Sequence, residues 1–145
     1  MKAKEYLSQV RYLEEKIAKM KIDIEEYRRL AWAIPGCDYD SIKVDCTRDN
    51  EAPFKKWIIK AADLERDLVK LQGKYDETRN EVISTIDLLQ DSDLKRVLLY
   101  RYISMMGWNA IADKICVSVP TIFRYHSSGL KQIKVPEKMI VRDSL

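Results

Sequence analysis

Apolar positions recur at alternating spacings of four and three along two segments of the first ninety residues. The first stripe lies between charged residues and consists of Tyr6, Val10, Leu13, Ile17, Met20, Ile24, Tyr27 and Ala31. The second stripe consists of Trp57, Ala61, Leu64, Leu68, Leu71, Tyr75, Thr78, Val82, Thr85 and Leu89. Because this spacing keeps the apolar side chains on one side of a helix, it predicts two long helices. We expect them over residues 6–33, ended by Pro35-Gly36, and over residues 53–89, with Pro53 in the first turn.

Neither helix can bury its stripe alone. An antiparallel hairpin with coiled-coil-like packing is the simplest arrangement that buries both stripes. Pairing with a second copy of the chain is an alternative, since apolar residues also lie outside the stripes at Tyr12, Ile58, Ile83 and Ile86. Docking of the two helices on a large partner protein is a third. The polar segment 34–52 between the helices is interpreted as a loop, either a connector or a functional element.

A signal for a helix start follows the second stripe. Asp91-Ser92-Asp93 supplies side-chain oxygens that favour a helix N-terminus. The pattern that follows predicts one buried side of a short helix: Leu94, Val97, Leu98, Tyr100 or Arg101, and Tyr102. Met105-Met106-Gly107 should end this helix, with Gly107 in the left-handed conformation that follows many helices.

Two short helical patterns come next, with a tight turn between them. The first contains a small residue, Ala112, where a second helix can approach closely. Cys116-Val117 forms the predicted turn. Ser118 is the predicted N-cap of the second helix and Pro120 its start, since the fixed φ of proline suits a first turn. This order is typical of a helix-turn-helix, whose second helix enters the DNA major groove with its N-terminal residues toward the bases. A bundle of three small helices that binds no nucleic acid can have the same spacing and is the alternative.

The second helix of this module has an apolar side and an open side. The predicted helix-turn-helix core consists of Trp108, Ile111, Ala112, Ile115, Ile122, Tyr125 and Leu130. The open side carries hydroxyl, aromatic and basic side chains, which can contact phosphates, base edges or a thymine methyl. The predicted phosphate contacts are Lys114, Lys131 and Lys134, the predicted base contacts are Thr121, Phe123, Arg124 and Ser127, and the hydroxyls of Ser118 and Ser128 complete the predicted DNA-binding residues.

Two aromatic residues of this helix have alternative interpretations. Phe123 either meets DNA or another surface, or turns back onto the hairpin, because an aromatic ring left in water is costly. His126 is interpreted as a packed or partly exposed helix residue and not as a ligand or a catalyst.

Charge is unevenly distributed, although the formal net charge is only +3. Basic residues outnumber acidic ones over residues 91–145, whereas acidic residues are in slight excess over residues 1–90. From Lys114 to Lys134 every charged residue is basic. A basic surface suits a polyanion such as DNA, but many solvated helices have a similar composition.

The patterns and the composition together predict an all-α fold. The 145 residues include only 4 Gly and 4 Pro, and 46% are hydrophobic, which is enough for a core. We expect a long N-terminal antiparallel helical hairpin, followed by a small three-helix module that contains the helix-turn-helix. The predicted regions are a hairpin and oligomerisation domain over 1–90, a DNA-binding domain over 91–135 and a tail over 136–145.

The sequence disfavours several kinds of site and location. No apolar run follows the first residue and none approaches the length of a membrane span, so we expect a cytoplasmic protein without a signal peptide or membrane contact. The three cysteines and the single histidine are spaced unlike zinc ligands, and no cofactor is expected. An enzyme is the least favoured class, since the chain lacks a glycine-rich phosphate loop and a nucleophile paired with a base.

The stretch LLYRYISMMGWNAIADKICVSVPTIFRYHSSGLKQI resembles the C-terminal helix-turn-helix of sigma factors, known as region 4. More narrowly, its succession of RYI, GW, IA, a serine and threonine, and GLK is similar to phage-encoded transcriptional regulators of the ArpU/RinA type. The similarity is strong over 96–133 and is one of architecture over 1–90. Two departures are Cys116, where the turn often has glycine, and Val119-Pro120, which replaces a charged pair.

The resemblance implies a regulator of late or packaging genes in phages and prophages of Gram-positive bacteria. It also implies DNA binding through the helix that begins at Ser118, with contacts from Thr121, Arg124 and Lys131.

Three functions therefore remain open, and a sequence-specific reader of double-stranded DNA, dimeric through its long helices, is favoured. A sigma-like factor whose long helices bind RNA polymerase is an alternative, and polymerase binding without DNA would favour it. An adaptor similar to a terminase small subunit is the other alternative, and ring formation would favour that one.

Overall fold

The computed structural model describes residues 2–32 and 53–136, and both ranges are mainly helical. Their α-helices are α1 (Ala3–Trp32), α2 (Pro53–Asp87), α3 (Ser92–Leu98), α4 (Trp108–Ile115) and α5 (Val119–Gln132). A π-helical turn, Leu99–Ile103, continues α3. No β-strand occurs within the described ranges. The predicted all-α fold class is confirmed.

The two long helices follow the prediction closely. α1 ends at Trp32 and α2 begins at Pro53 and ends at Asp87, each within two residues of the expected bounds. Every residue of both predicted stripes is buried or half-buried. The predicted loop over 34–52 lies outside the described residues, as does the predicted tail apart from Pro136.

Packing divides the chain into two units, and both long helices pass through both. Unit 1 comprises the described parts of Met1–Glu15 and Gly73–Leu145, and unit 2 comprises those of Lys16–Gln72. Unit 1 therefore holds the start of α1, the end of α2 and all of α3, α4 and α5. The expected division into a hairpin and oligomerisation domain over 1–90 and a DNA-binding domain over 91–135 stays a prediction.

Unit 1 has two hydrophobic clusters. The larger joins α1, α2, α3, the π-helical turn and the residue after α5, and its buried members are Tyr6, Leu7, Val10, Val82, Ile86, Leu89, Leu94, Leu98, Tyr102 and Ile133. The smaller consists of Val97, Ile111, Ala112 and Ile122. α1 and α2 run antiparallel here, because Tyr6 shares a buried 3.0 Å hydrogen bond with Thr85 and the Glu14 charge acts on Tyr75. Ile86, expected outside the stripes, is fully buried in this unit and so is not available to a second copy.

In unit 2 the remaining parts of α1 and α2 pack on each other. The rings of Tyr27 and Trp57 stack with centroids 5.8 Å apart, and Lys60 Nζ lies 5.1 Å from the centroid of the Trp57 ring. Arg28 forms an exposed ion pair with Glu65. Such exposed pairs contribute little stability, about 0–1 kcal/mol, so apolar contacts of the stripes carry this packing.

The predicted start of α3 is correct. Asp91 is its N-cap, and the Asp91 carboxylate accepts a 3.0 Å hydrogen bond from the Asp93 N–H.

The prediction for Gly107 is wrong. Met105 is the left-handed residue, with φ 56°, whereas Gly107 is the extended N-cap of α4. The Met106 N–H donates to the Tyr100 carbonyl at 2.9 Å and closes the end of the π-helical turn. Because this bond already reverses the chain at Met105, Gly107 is left to begin the next helix.

Candidate nucleic-acid interface

The predicted helix-turn-helix corresponds to α4, a short turn and α5. Ile111, Ala112 and Ile122 are buried together against Val97 of α3. Three further predicted core residues pack around this cluster half-buried: Trp108, Ile115 and Tyr125. The seventh, Leu130, packs against the larger cluster of unit 1. The predicted core residues therefore all face inward, but they divide between two clusters.

The turn between the helices is built on Cys116. This residue has φ 61° and ψ 41°, the left-handed conformation, and it ends α4. The Val117 N–H donates to the Ala112 carbonyl at 3.1 Å. This hydrogen bond ties the turn to Ala112, the small residue of α4. Cys116-Val117 thus makes the turn as expected, and it does so without glycine.

The start of α5 differs in detail from the prediction. Ser118 is at the N-cap position, but its hydroxyl hydrogen-bonds the Thr121 hydroxyl at 2.8 Å and caps no backbone N–H. Val119 is the first helical residue, and Pro120 is the second. The extended Ser118 backbone and the fixed φ of Pro120 still set the helix start. The two hydroxyls are paired at the end of α5 that would approach DNA bases.

The open side of α5 carries the predicted DNA-binding residues. Arg124, Ser127 and Lys131 recur at spacings of three and four and are all exposed, so they form one line along the helix. Phe123, Ser128 and Ser118 are also exposed, whereas Thr121 is half-buried. Two predicted phosphate contacts lie off α5 and are exposed, Lys134 just after it and Lys114 on α4.

The Lys114 ammonium is already oriented within unit 1. Its Nζ lies 4.8 Å from the centroid of the Tyr100 ring, a cation–π contact. Because the contact is at the surface, the charge remains accessible to a phosphate.

A group of four aromatic rings lies between α4, α5 and the π-helical turn. Trp108 contacts Phe123 edge-on at 5.1 Å between centroids and His126 at 4.9 Å. Tyr102 stacks on His126, and its hydroxyl is 2.7 Å from His126 Nε2. The guanidinium of Arg101 lies 4.2 Å from the centroid of the Trp108 ring. We call these four residues, Tyr102, Trp108, Phe123 and His126, the aromatic group.

The surroundings of His126 lower its pKa and so favour its neutral form. Burial, together with the nearby positive charges of Lys4 and Arg101, holds its pKa below the ordinary 6.5. Burial also raises the pKa of Tyr102, so the neutral forms of both partners of their hydrogen bond are favoured. The expected packed, half-buried position of His126 is confirmed.

Two cations near α5 were missed by the sequence interpretation. Lys4 of α1 and Arg101 of the π-helical turn both act on His126. Arg101 is engaged, since it also donates to the Met106 carbonyl at 3.1 Å. Lys4 is exposed at the surface of unit 1. Its sequence position, more than a hundred residues from α5, gave no sign of this proximity.

Among residues 2–32 and 53–136, no three or more His, Cys, Asp or Glu side chains gather in a way that could hold a metal ion. Within the same ranges, no helix combines the length and apolar character that crossing a membrane requires. Comparisons of the chain with models of protein families, with curated proteins and with solved structures find no match. Function is therefore inferred from the geometry of α4 and α5.

Proposed function

We propose that the protein is a sequence-specific regulator of transcription that binds double-stranded DNA and reads the major groove with α5. The observation that carries this proposal is the division of α5 into two sides. Ile122 and Gly129 are buried, whereas Arg124 and Lys131 are exposed on the opposite side. A helix held firmly on one side and free on the other fits a major groove, which is wide enough to admit it.

The chemistry along the open side supports different roles for its two ends. Arg124 lies in the first half of α5, where a guanidinium can bind the O6 and N7 atoms of guanine. Lys131 and Lys134 lie at its far end, where ammonium groups can neutralise phosphates. Lys4 and Lys114 add charge on neighbouring elements of unit 1. Phosphate contacts of this kind make affinity strongly dependent on salt.

The proposal includes a homodimer formed through the long helices, because two copies would read two half-sites. Exposed aliphatic side chains of unit 2 support it: Ile22, Ile59 and Val69. The resemblance to ArpU/RinA-type regulators adds late or packaging genes of a phage or prophage as targets, in the cytoplasm of a bacterial host.

Selection from a random-sequence duplex library at low and near-physiological salt tests the proposal. The purified protein should enrich one discrete motif, and Arg124→Ala should lose that motif. Arg66→Ala is the matched control, since Arg66 is an exposed arginine of unit 2. It should enrich the same motif as the parent protein. Failure to retain DNA at low salt would overturn the proposal.

A further inference from the structure

The most unusual side chain on the open side of α5 is Phe123. It lies in the first half of α5, is 46% exposed and is next to the exposed Arg124. An aromatic ring in water loses the free energy that burial would supply, about 25 cal/mol for each Å² of apolar surface. The ring is therefore a candidate for contact with an apolar group of a ligand.

Contacts with other side chains of unit 1 hold the Phe123 ring in place. It meets Trp108 edge-on at 5.1 Å with an interplanar angle of 69°, a preferred geometry for aromatic pairs. Trp108 in turn contacts His126 at 4.9 Å and lies under the Arg101 guanidinium at 4.2 Å. Arg101 is fixed by its 3.1 Å bond to the Met106 carbonyl. This chain of contacts restricts the ring before any ligand arrives, which lowers the entropy cost of binding.

We infer that Phe123 recognises the C5-methyl group of a thymine. The inference rests on the proposed function and adds to it the identity of one base. Thymine presents the apolar methyl group of the major groove, whereas the other base edges offer hydrogen-bond donors and acceptors that a phenyl ring cannot use. Arg124, the next residue, is suited to guanine, so the two side chains would specify two base types within one half-site.

A scan with deoxyuridine tests this directly. Uracil pairs as thymine does but lacks the C5-methyl group. Each thymine of the selected motif is replaced in turn, and the Kd is measured for the parent protein and for Phe123→Ala. One replacement should weaken the parent about fourfold, which corresponds to about 0.8 kcal/mol for a buried methyl-sized group. The same replacement should have no effect on Phe123→Ala.

Two further variants separate the methyl contact from general damage to α5. Phe123→Leu keeps an apolar side chain and should keep part of the methyl sensitivity. Gln132→Ala changes an exposed residue of α5 that is not among the predicted DNA-binding residues, and it should keep all of the methyl sensitivity. Far-UV circular dichroism and thermal unfolding of each variant check that the helical fold is retained.

The outcomes distinguish this inference from the function on which it rests. If the parent selects a motif through Arg124 and no thymine shows sensitivity that depends on Phe123, the inference is wrong and the DNA-binding function stands. If the protein binds no DNA, both fail. If Phe123→Ala instead loses binding to a protein partner while its DNA binding is unchanged, Phe123 belongs to a protein interface and the inference is also wrong.

Discussion

Gly129 of α5 lies directly against Leu98 of α3. A Cβ atom added to Gly129 would be 3.0 Å from Leu98 Cδ1 and 3.3 Å from Leu98 Cγ. Both residues are buried, and Leu98 is fully enclosed. The close approach of α5 to α3, and with it the orientation of the open side of α5, depends on the missing side chain at Gly129.

Gly129→Ala should therefore destabilise the protein. Extra volume in a well-packed core costs about 1–3 kcal/mol, which exceeds the gain in helix propensity from alanine. Gly73→Ala is the matched control, because Gly73 lies inside α2 with no other heavy atom within 4 Å of an added Cβ. It should stabilise by about 0.5–1 kcal/mol. Urea unfolding measures the change in the free energy of unfolding for each variant. An equal increase in both variants would contradict the packing described for Gly129.

Cys116→Gly should stabilise the turn between α4 and α5. The left-handed conformation of Cys116 costs an L-residue about 1–2 kcal/mol, a strain that glycine avoids. Part of the gain is lost to the greater freedom of glycine in the unfolded chain, so about 1 kcal/mol should remain. Thermal unfolding measures it. Cys116→Ala keeps the strain and should give no such gain, and similar midpoints for the two variants would show that the turn is not strained.

Acidification should lower the stability of the protein through His126. Its folded-state pKa lies below 6.5, owing to burial and to the charges of Lys4 and Arg101. The unfolded chain therefore binds the proton more readily, so the free energy of unfolding falls as the pH drops through 6.5 and levels off below the folded-state pKa. His126 is the only histidine, which makes the transition attributable.

Urea unfolding at several pH values from 5 to 8, in about unit steps, measures this dependence. His126→Gln has no proton to gain and should remove the His126 contribution. An NMR titration of the imidazole in the folded protein provides a direct check, and an apparent pKa above 6.5 would refute the expected sign.

Lys131→Ala should reduce the salt dependence of DNA binding. If Lys131 neutralises one phosphate, the slope of log K against log salt falls in magnitude by about 0.9, with little change in motif preference. Lys70→Ala removes an exposed lysine of unit 2 and should leave the slope unchanged. Fluorescence anisotropy over a range of salt concentrations measures both. Identical slopes for the parent and Lys131→Ala would remove Lys131 from the interface.

The long helices were predictable because their signals are local and repeated. The stripes fix which side of each helix is buried, and Pro53 and Asp91 mark starts that depend only on backbone chemistry. The buried and the open side of α5 were predictable for the same reason. Its spacing alone separates Ile122 from Arg124.

Contacts between distant segments were not predictable in this way. Leu7 lies outside the α1 stripe and is fully buried, because α1 packs on more than α2 in unit 1. The spacing of apolar residues along α1 does not indicate this second contact, since the residues that make it come from the far end of the chain. Met105 illustrates a different limit. Residue preference favoured Gly107 for the left-handed position, but the bond from Met106 to Tyr100 determined where the helix ended.

The larger cluster of unit 1 also has a consequence for how the chain is made. Leu7 emerges from the ribosome long before Ile133, yet both belong to that one cluster. During translation α2 can cover part of the apolar side of α1, but the rest stays exposed until α5 has emerged. Folding of this unit therefore cannot be completed before α5 has emerged, and a nascent chain stalled before α5 exposes apolar surface that holding chaperones bind.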